Sequence, residues 1–141
     1  MSIRFQDLSL NNSFLFAVAL EDPETCKLIV QLIIGKKLRE MKVRAEHSIL
    51  FSSDFRSVRL DVYAEDDAEV SYNLEMQNTD EKNLAKRSRF YQAEMDVTSL
   101  KPGEDFSKLK PCYIIFICTF DPFGKGLYRY VFEPYCKDAE L

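Results

Sequence analysis

The sequence predicts an α/β fold built on one mixed β-sheet, because of the order in which its hydrophobic patterns occur. Two helical patterns open the chain, and three segments with the alternation of β-strands follow them. A long helical segment and a nearly unbroken apolar run complete the order. With 141 residues, the whole chain, 1–141, is expected to form a single domain around one core.

The two N-terminal helices are predicted from their start and stop signals. Asn11 or Asn12 should cap a short first helix. Asp22 should begin a second helix, because Pro23 suits its first position, and Gly35 should end it. Apolar residues at three- and four-residue spacing predict a core-facing stripe on this second helix. They are Cys26, Ile29, Val30, Ile33 and Ile34.

After about residue 43 the pattern changes from helical to β. Segments 44–51, 57–65 and 70–77 alternate between polar and apolar residues, which predicts three strands in a meander. A helix is expected over 84–100, because acidic residues precede this segment and Pro102-Gly103 follows it.

The C-terminal part of the chain predicts one or two further strands. Segment 111–120 is almost entirely apolar, as in a strand buried on both faces, so it should lie in the centre of the sheet. Segment 127–132 alternates well enough to add one strand at the sheet edge.

Charge and composition restrict the function classes. The net charge of −4 argues against a protein that holds nucleic acid through a diffuse positive field. Any contact with DNA would therefore need a local basic patch and a metal ion. The apolar segments are shorter than the roughly 20 residues of a membrane span, and the N-terminus lacks a secretory signal. A cytoplasmic protein without a membrane segment is therefore expected.

The four cysteines are interpreted as structural thiols. Each lies in or next to an apolar segment, where a free thiol in a reducing compartment behaves as a small buried hydrophobe. They form no CxxC pair, and His47 is the single histidine, so no zinc site is expected. The cysteines are Cys26, Cys112, Cys118 and Cys136.

Two carboxylates mark the hairpin of the second and third predicted strands. Side chains alternate between faces along a strand, so Asp61 and Glu75 each belong to the polar face of their strand. An antiparallel pairing with its loop near Ala68 places the two directly opposite each other. Because like charges at that distance destabilise a sheet, a cation is expected between them.

Magnesium suits this gap, since it favours one or two carboxylates together with waters and phosphate oxygens. Such an ion would acidify a water, hold a scissile phosphate and neutralise charge on the leaving oxygen. Gln77 is placed to hydrogen-bond the attacking water or the phosphate, and Arg59 could steer a phosphate of DNA. On spacing alone, two solvated carboxylates are an equal alternative, although Asp is depleted in strand interiors.

Taken together, several motifs resemble one nuclease family. Arg59-Leu-Asp-Val62 and Asn73-Leu-Glu-Met-Gln77 are similar to the core of the recombination-promoting nuclease and transposase family. This family is a branch of the PD-(D/E)XK nuclease superfamily in which Gln often stands in place of Lys. The further matches are Lys86-Arg-Ser-Arg-Phe-Tyr-Gln92, Leu100-Lys-Pro-Gly103 and Tyr113-Ile-Ile-Phe-Ile-Cys-Thr-Phe-Asp-Pro-Phe123.

The resemblance implies a restriction-endonuclease-like αβββαβ core, with a central mixed sheet flanked by helices, and metal-dependent cleavage of DNA. It implies Asp61 and Glu75 as ligands of Mg²⁺ or Mn²⁺, and it places Gln77 where the superfamily has a catalytic lysine. Ala17 stands where relatives often carry a lysine in the first helix, so no catalytic residue is carried over there. Relatives often extend further than Leu141, which leaves a C-terminal extension open.

Basic residues of the long helix are the candidate DNA contacts. Lys82, Lys86 and Arg89 follow i, i+4, i+7 spacing, and Arg87 lies on another side near Tyr91. Lys86, Arg87 and Arg89 are predicted to contact phosphates with little sequence preference. Lys82 fits a solvated helix face slightly better.

Three other residues are weaker candidates. Glu46 and His47 point to opposite faces of their predicted strand, so at most one of them can approach the metal. Glu46 is the auxiliary ligand candidate, and His47 fits an ordinary surface or core histidine better. Tyr91 could stack or hydrogen-bond near DNA, although aromatic core packing is the simpler interpretation.

Three function hypotheses result. The first is an endonuclease of low sequence specificity associated with transposition or recombination, and a homodimer is expected because one small domain needs a second copy to cut both strands. The second is a catalytically inactive DNA-binding or dimerisation module that retains the nuclease fold, because the amide of Gln77 cannot supply a lysine's positive charge. The third is an intracellular scaffold domain.

Overall fold

One four-stranded sheet organises the described part of the chain, residues 9–49 and 58–139, in this computed structural model. Side chains are described throughout these ranges except at 45–49 and 58–60. From the second helix onwards the elements follow the predicted αβββαβ order. Their bounds are Ser13–Leu20 (α1), Pro23–Ile34 (α2), Met41–Ile49 (β1), Val58–Asp66 (β2), Ser71–Gln77 (β3), Leu84–Ser99 (α3) and Cys112–Cys118 (β4).

The N-terminal helices begin and end at the predicted signals. Asn12 is the N-cap of α1, and its side chain accepts a hydrogen bond from the N–H of Leu15 at 3.1 Å. Asp22 caps α2 in the same way through the N–H of Thr25, at 2.8 Å. Gly35 ends α2 with a φ of 71°, a left-handed conformation that glycine adopts without steric cost.

The sheet is mixed, as predicted. β1 pairs with β2 and β2 with β3 in antiparallel fashion, whereas β3 and β4 are parallel and are joined through α3. The strand order is β1-β2-β3-β4, so β4 lies at an edge of the described sheet. The prediction that this strand is central is therefore wrong. All seven of its residues are partly rather than fully buried, because one side of the strand has no described neighbour in the sheet.

The prediction of a further strand over 127–132 is also wrong, since this segment is not a strand in the structure. The reason is a local hydrogen-bond network centred on Asp121. Its carboxylate accepts bonds from the N–H groups of residues 123, 124 and 126, and from the hydroxyl of Tyr130 at 2.7 Å. These bonds, led by that of Tyr130, lower the pKa of the Asp121 carboxyl to about 2. The hydrogen bonds hold Tyr130 against the turn that follows Asp121.

The two faces of the sheet are covered by different helices. One face packs against α1 and α2 and forms the main core. The other face is covered by α3, where Met95 packs against partly buried side chains of the sheet. The polar face of the hairpin therefore lies under a helix. The main core contains Phe16, Leu20, Cys26, Val30, Val62, Ala64, Tyr72 and Leu74.

A buried carboxylate fixes the turn between β2 and β3. Asp66 is 8% exposed, and its Oδ1 accepts hydrogen bonds from the N–H groups of Ala68 and Val70, both at 2.9 Å. Its Oδ2 accepts a third bond from the hydroxyl of Tyr72 at 2.8 Å. Buried polar atoms in proteins are nearly always hydrogen-bonded, so these three bonds stabilise the turn in this conformation. The loop lies near Ala68, as the sequence predicted.

The four cysteines are free thiols. Cys26 is buried in the main core, and burial raises the pKa of its thiol to about 11. Cys136 is exposed, so the interpretation of every cysteine as a buried hydrophobe is wrong at this position. Within the described ranges, no helix has the length and apolar character that a membrane crossing requires.

Candidate metal centre

Asp61 and Glu75 stand opposite each other on β2 and β3. The observed pairing of Val62 with Leu74 gives this register, which is the one predicted from the sequence. The N–H of Asp61 donates to Oε1 of Glu75 at 3.3 Å, and the N–H of Met76 donates to Oδ2 of Asp61 at 3.2 Å. Each carboxylate therefore lies against the backbone of the other strand, and the two acidic groups share one site.

Glu75 is the more deeply placed of the two acids, with 4% of its surface exposed. Burial, and then the negative charge of Asp61, raise the pKa of the Glu75 carboxyl to about 7. Hydrogen bonds from Asn73 and from the Asp61 backbone, and the charge of Arg87, act in the opposite direction without cancelling the rise. At neutral pH the buried Glu75 carboxyl therefore carries its proton much of the time, unless a cation favours the ionised form.

This donor set fits a magnesium or manganese ion. Carboxylate oxygens are hard ligands, and Mg²⁺ is commonly bound by one or two of them while it keeps several waters. Among the residues whose side chains are described, 9–44 and 61–139, no group of three or more His, Cys, Asp or Glu side chains gathers as a metal cluster.

Gln77 is hydrogen-bonded within the protein through both ends of its amide. Its Oε1 accepts a bond from Nη1 of Arg87 at 2.8 Å, and its Nε2 donates to the carbonyl of Met76 at 3.1 Å. The amide of Gln77 is therefore hydrogen-bonded to a cationic side chain that lies beside the acidic pair.

Arg87 lies next to the carboxylates and apart from the exposed basic residues of α3. Its Nη2 is 3.7 Å from Oε2 of Glu75 and donates to the hydroxyl of Tyr91 at 3.2 Å. The guanidinium also lies over the rings of Tyr91 and Phe116, at 5.5 and 5.3 Å from their centroids. The predicted proximity of Arg87 to Tyr91 is confirmed, and both residues are packed beside the site.

Lys86 and Arg89 are exposed on α3, whereas Lys82 lies before the helix begins at Leu84. Lys82 has a φ of 56° and forms an ion pair with Asp80. The left-handed conformation interrupts the helical spacing, so the prediction that Lys82 shares a helix side with Lys86 and Arg89 is wrong.

The remaining candidates belong to segments whose side chains lie outside the described part. The backbone of Arg59 is in β2, paired with Ser48 of β1. Glu46 lies in β1 between Ala45 and His47, whose partners are Val62 and Leu60, so its backbone is next to that of Asp61. The predicted roles of Arg59 and Glu46 stay predictions.

Asn73 is a residue of the site that sequence reasoning missed. It is fully buried, and its Nδ2 donates to Oε1 of Glu75 at 3.2 Å, while its Oδ1 has no hydrogen-bond partner in the described structure. Its position two residues before Glu75, on the same strand face, was the available signal. The contact of Arg87 with Glu75 was missed as well, because only the fold brings α3 over β3.

A groove of about 900 Å³ lies at the other end of the sheet face that α3 covers, and neither Asp61 nor Glu75 lines it. Side chains of both charges line the groove, including Lys42 and Arg44 beside Glu65. Its mixed charge offers no match for a single kind of ion, so we place the candidate chemistry at the acidic pair.

The comparison with protein families agrees with this geometry. The model of the PD-(D/E)XK nuclease family transposases matches residues 28–133, which is more than half of the chain. The chain belongs to this family. The match includes the acidic pair, Gln77 and Arg87, and it confirms the predicted family and its α/β fold. No curated protein and no solved structure matches the chain.

Family membership places the chain among nuclease-type hydrolases associated with transposition. PD-(D/E)XK nucleases generally use divalent metal ions, and DNA is the substrate that a nuclease of this type implies.

Proposed function

We propose that the chain is a metal-dependent DNA endonuclease of low sequence specificity that acts in transposition or recombination. Asp61 and Glu75 are proposed to bind one Mg²⁺ or Mn²⁺ ion. The observation that supports this most directly is the pairing of the two acids across β2 and β3, with the Asp61 N–H at 3.3 Å from Oε1 of Glu75. The raised pKa of Glu75, caused first by burial and then by the charge of Asp61, agrees with this, because a divalent cation would favour the ionised form of both carboxyls.

The proposed reaction adds the oxygen of a water to a DNA phosphorus and breaks the bond between that phosphorus and a sugar oxygen. When bound, the divalent ion supplies an acidified water and neutralises charge on the phosphate. The protein contributes the fixed position of the ligands: hydrogen bonds from Asn73 and from the Asp61 backbone hold Glu75, and one from Met76 holds Asp61. Ligands that are already positioned need little rearrangement during the reaction.

DNA is proposed to approach along the exposed side of α3. Lys86 and Arg89 are exposed there, and neither forms an ion pair with a residue of the described ranges. Arg59 is proposed as a further phosphate contact from β2. Such contacts give salt-dependent affinity and little sequence preference, which suits an acidic protein that binds DNA locally.

A second candidate function is a catalytically inactive DNA-binding or dimerisation module. The observation in its favour is that Gln77 is neutral and that both ends of its amide are hydrogen-bonded within the protein. A homodimer and a cytoplasmic location, both expected from the sequence, are kept as proposals for either function.

Incubation with supercoiled plasmid separates these candidates. With Mg²⁺ or Mn²⁺ at pH 8, the protein is expected to convert supercoiled plasmid to nicked and linear forms, and EDTA should abolish the conversion. Gel electrophoresis over a time course measures the rate. A metal-independent gel shift without cleavage would favour the inactive module, and neither cleavage nor a shift would favour a scaffold domain.

A further inference from the structure

We propose that Arg87 supplies the positive charge that Gln77 lacks, and that the role of Gln77 is to hold Arg87 beside the acidic pair. This inference rests on the proposed nuclease function and concerns the same site. A neutral amide cannot stabilise the negative charge that develops on a phosphate during hydrolysis, whereas a guanidinium can.

The guanidinium of Arg87 lies between Glu75 and the amide of Gln77. Nη2 of Arg87 is 3.7 Å from Oε2 of Glu75, and Nη1 donates to Gln77 at 2.8 Å. The positive charge therefore lies at the amide that replaces the lysine of the motif, on a different element of the fold. The guanidinium is therefore next to a carboxylate that is proposed to hold the metal ion.

The guanidinium is held in place before any substrate binds. It donates to Gln77 and to the hydroxyl of Tyr91, and it lies over the rings of Tyr91 and Phe116. A planar guanidinium held on two sides in this way loses little freedom when it binds a phosphate. A charge that is already positioned stabilises a transition state without a reorganisation cost.

Arg87 also keeps N–H donors with which it can bind a ligand. A guanidinium has five N–H donors, and two of those of Arg87 are hydrogen-bonded within the described ranges. The second carboxylate near it, Glu81, is 3.8 Å away, beyond hydrogen-bond distance. With 24% of its side chain exposed, the residue is accessible from solvent on one side. The donors that are not engaged can bind a phosphate oxygen.

The test moves the charge between the two positions. Arg87→Met removes the cation and is expected to lower kcat for plasmid cleavage by about 10² to 10³-fold. Gln77→Lys combined with Arg87→Met restores a cation at the motif position and should recover at least about tenfold of that loss. Arg87→Lys should retain more activity than Arg87→Met. Arg129→Met is the matched control, because Arg129 is an exposed arginine bonded to the carbonyl of Ile33, and its kcat should equal that of the wild type.

A second readout separates a charge role from a merely structural one. Calorimetric titration with Mn²⁺ at pH 8.5 should show that Arg87→Met binds the ion at least as tightly as the wild type, because a competing cation next to Glu75 has been removed. A structural role would lower metal affinity and kcat together, and the double variant would not recover. Melting curves in EDTA check that each variant is folded.

The outcomes distinguish this inference from the function on which it rests. A wild-type protein that cleaves, with Arg87→Met within twofold of it, would overturn the role of Arg87 and leave the nuclease function standing. A parallel loss of Mn²⁺ binding and kcat in Arg87→Met, without recovery in the double variant, would overturn it too. A wild-type protein without cleavage would overturn the nuclease function, and the role of Arg87 with it.

Discussion

Asp61→Asn should lower plasmid cleavage by about 10³-fold or more, at every concentration of Mg²⁺ tested. The substitution keeps the shape of the side chain, and the amide oxygen can still accept the hydrogen bond that Met76 donates to Asp61. The exchange removes one of the two negative charges that face each other across β2 and β3. The loss should therefore appear in the cleavage rate and in metal binding, while the melting temperature in EDTA should be no lower than that of the wild type.

Asp67→Asn is the matched control for this variant. Asp67 is exposed in the turn between β2 and β3, so the same exchange of carboxylate for amide should leave the cleavage rate unchanged. Wild-type activity in Asp61→Asn would contradict the assignment of Asp61 as a metal ligand.

The stability of the metal-free protein should fall as pH rises from about 4.5 to about 7, and Glu75 should be the cause. Burial and Asp61 raise the pKa of this carboxyl from 4.5 to about 7 in the folded protein. The folded state therefore binds the proton more tightly than the unfolded state does. This contribution is complete below pH 4.5 and is lost as pH rises through 7, by about 3 kcal/mol at most.

Urea unfolding in EDTA across this pH range measures the effect. Glu75→Gln cannot ionise, so the decline with pH should be smaller than in the wild type by the contribution of Glu75. Glu133→Gln, the same exchange at an exposed position, should keep the wild-type decline. Mg²⁺ should stabilise the wild type most at high pH, because it binds the ionised carboxylate. Identical pH profiles for wild type and Glu75→Gln would contradict the raised pKa of the Glu75 carboxyl.

The order of elements and the register of the acidic hairpin were predictable because both depend on local patterns. Alternation along β2 and β3 assigns each residue to a face, and the acidic and small residues of the turn place the loop near Ala68. Together these two features determine that Asp61 faces Glu75. Spacing alone left two alternatives for this pair, a metal site or two solvated carboxylates. The resemblance of the motifs to the nuclease family favoured the metal site.

The errors about the strands concern features that apolar content and alternation do not determine. An apolar run predicts a buried strand, but the neighbours of β4 in the sheet depend on the conformation of the C-terminal segment. In that segment, the hydrogen bonds of Asp121 with Tyr130 compete with pairing along the strand edge. The alternation of polar and apolar residues over 127–132 does not indicate these contacts.

The role of Arg87 was hidden for a similar reason. Charge spacing along the helix placed it on a different side from Lys86 and Arg89, and all three were predicted as phosphate contacts. The rotation of the helix about its own axis is set by packing, with Met95 buried against the sheet. That rotation turns Arg87 towards Glu75 and leaves Lys86 and Arg89 exposed. A sequence pattern alone does not give the rotation.

The most direct test of the central claim is a titration of the protein with Mn²⁺ at pH 8, followed by calorimetry or by electron paramagnetic resonance. The wild type should bind one ion per chain, and Asp61→Asn and Glu75→Gln should each weaken that binding by more than about 100-fold. Binding of wild-type affinity in either variant, or no binding by the wild type, would show that the two acids do not share a metal ion.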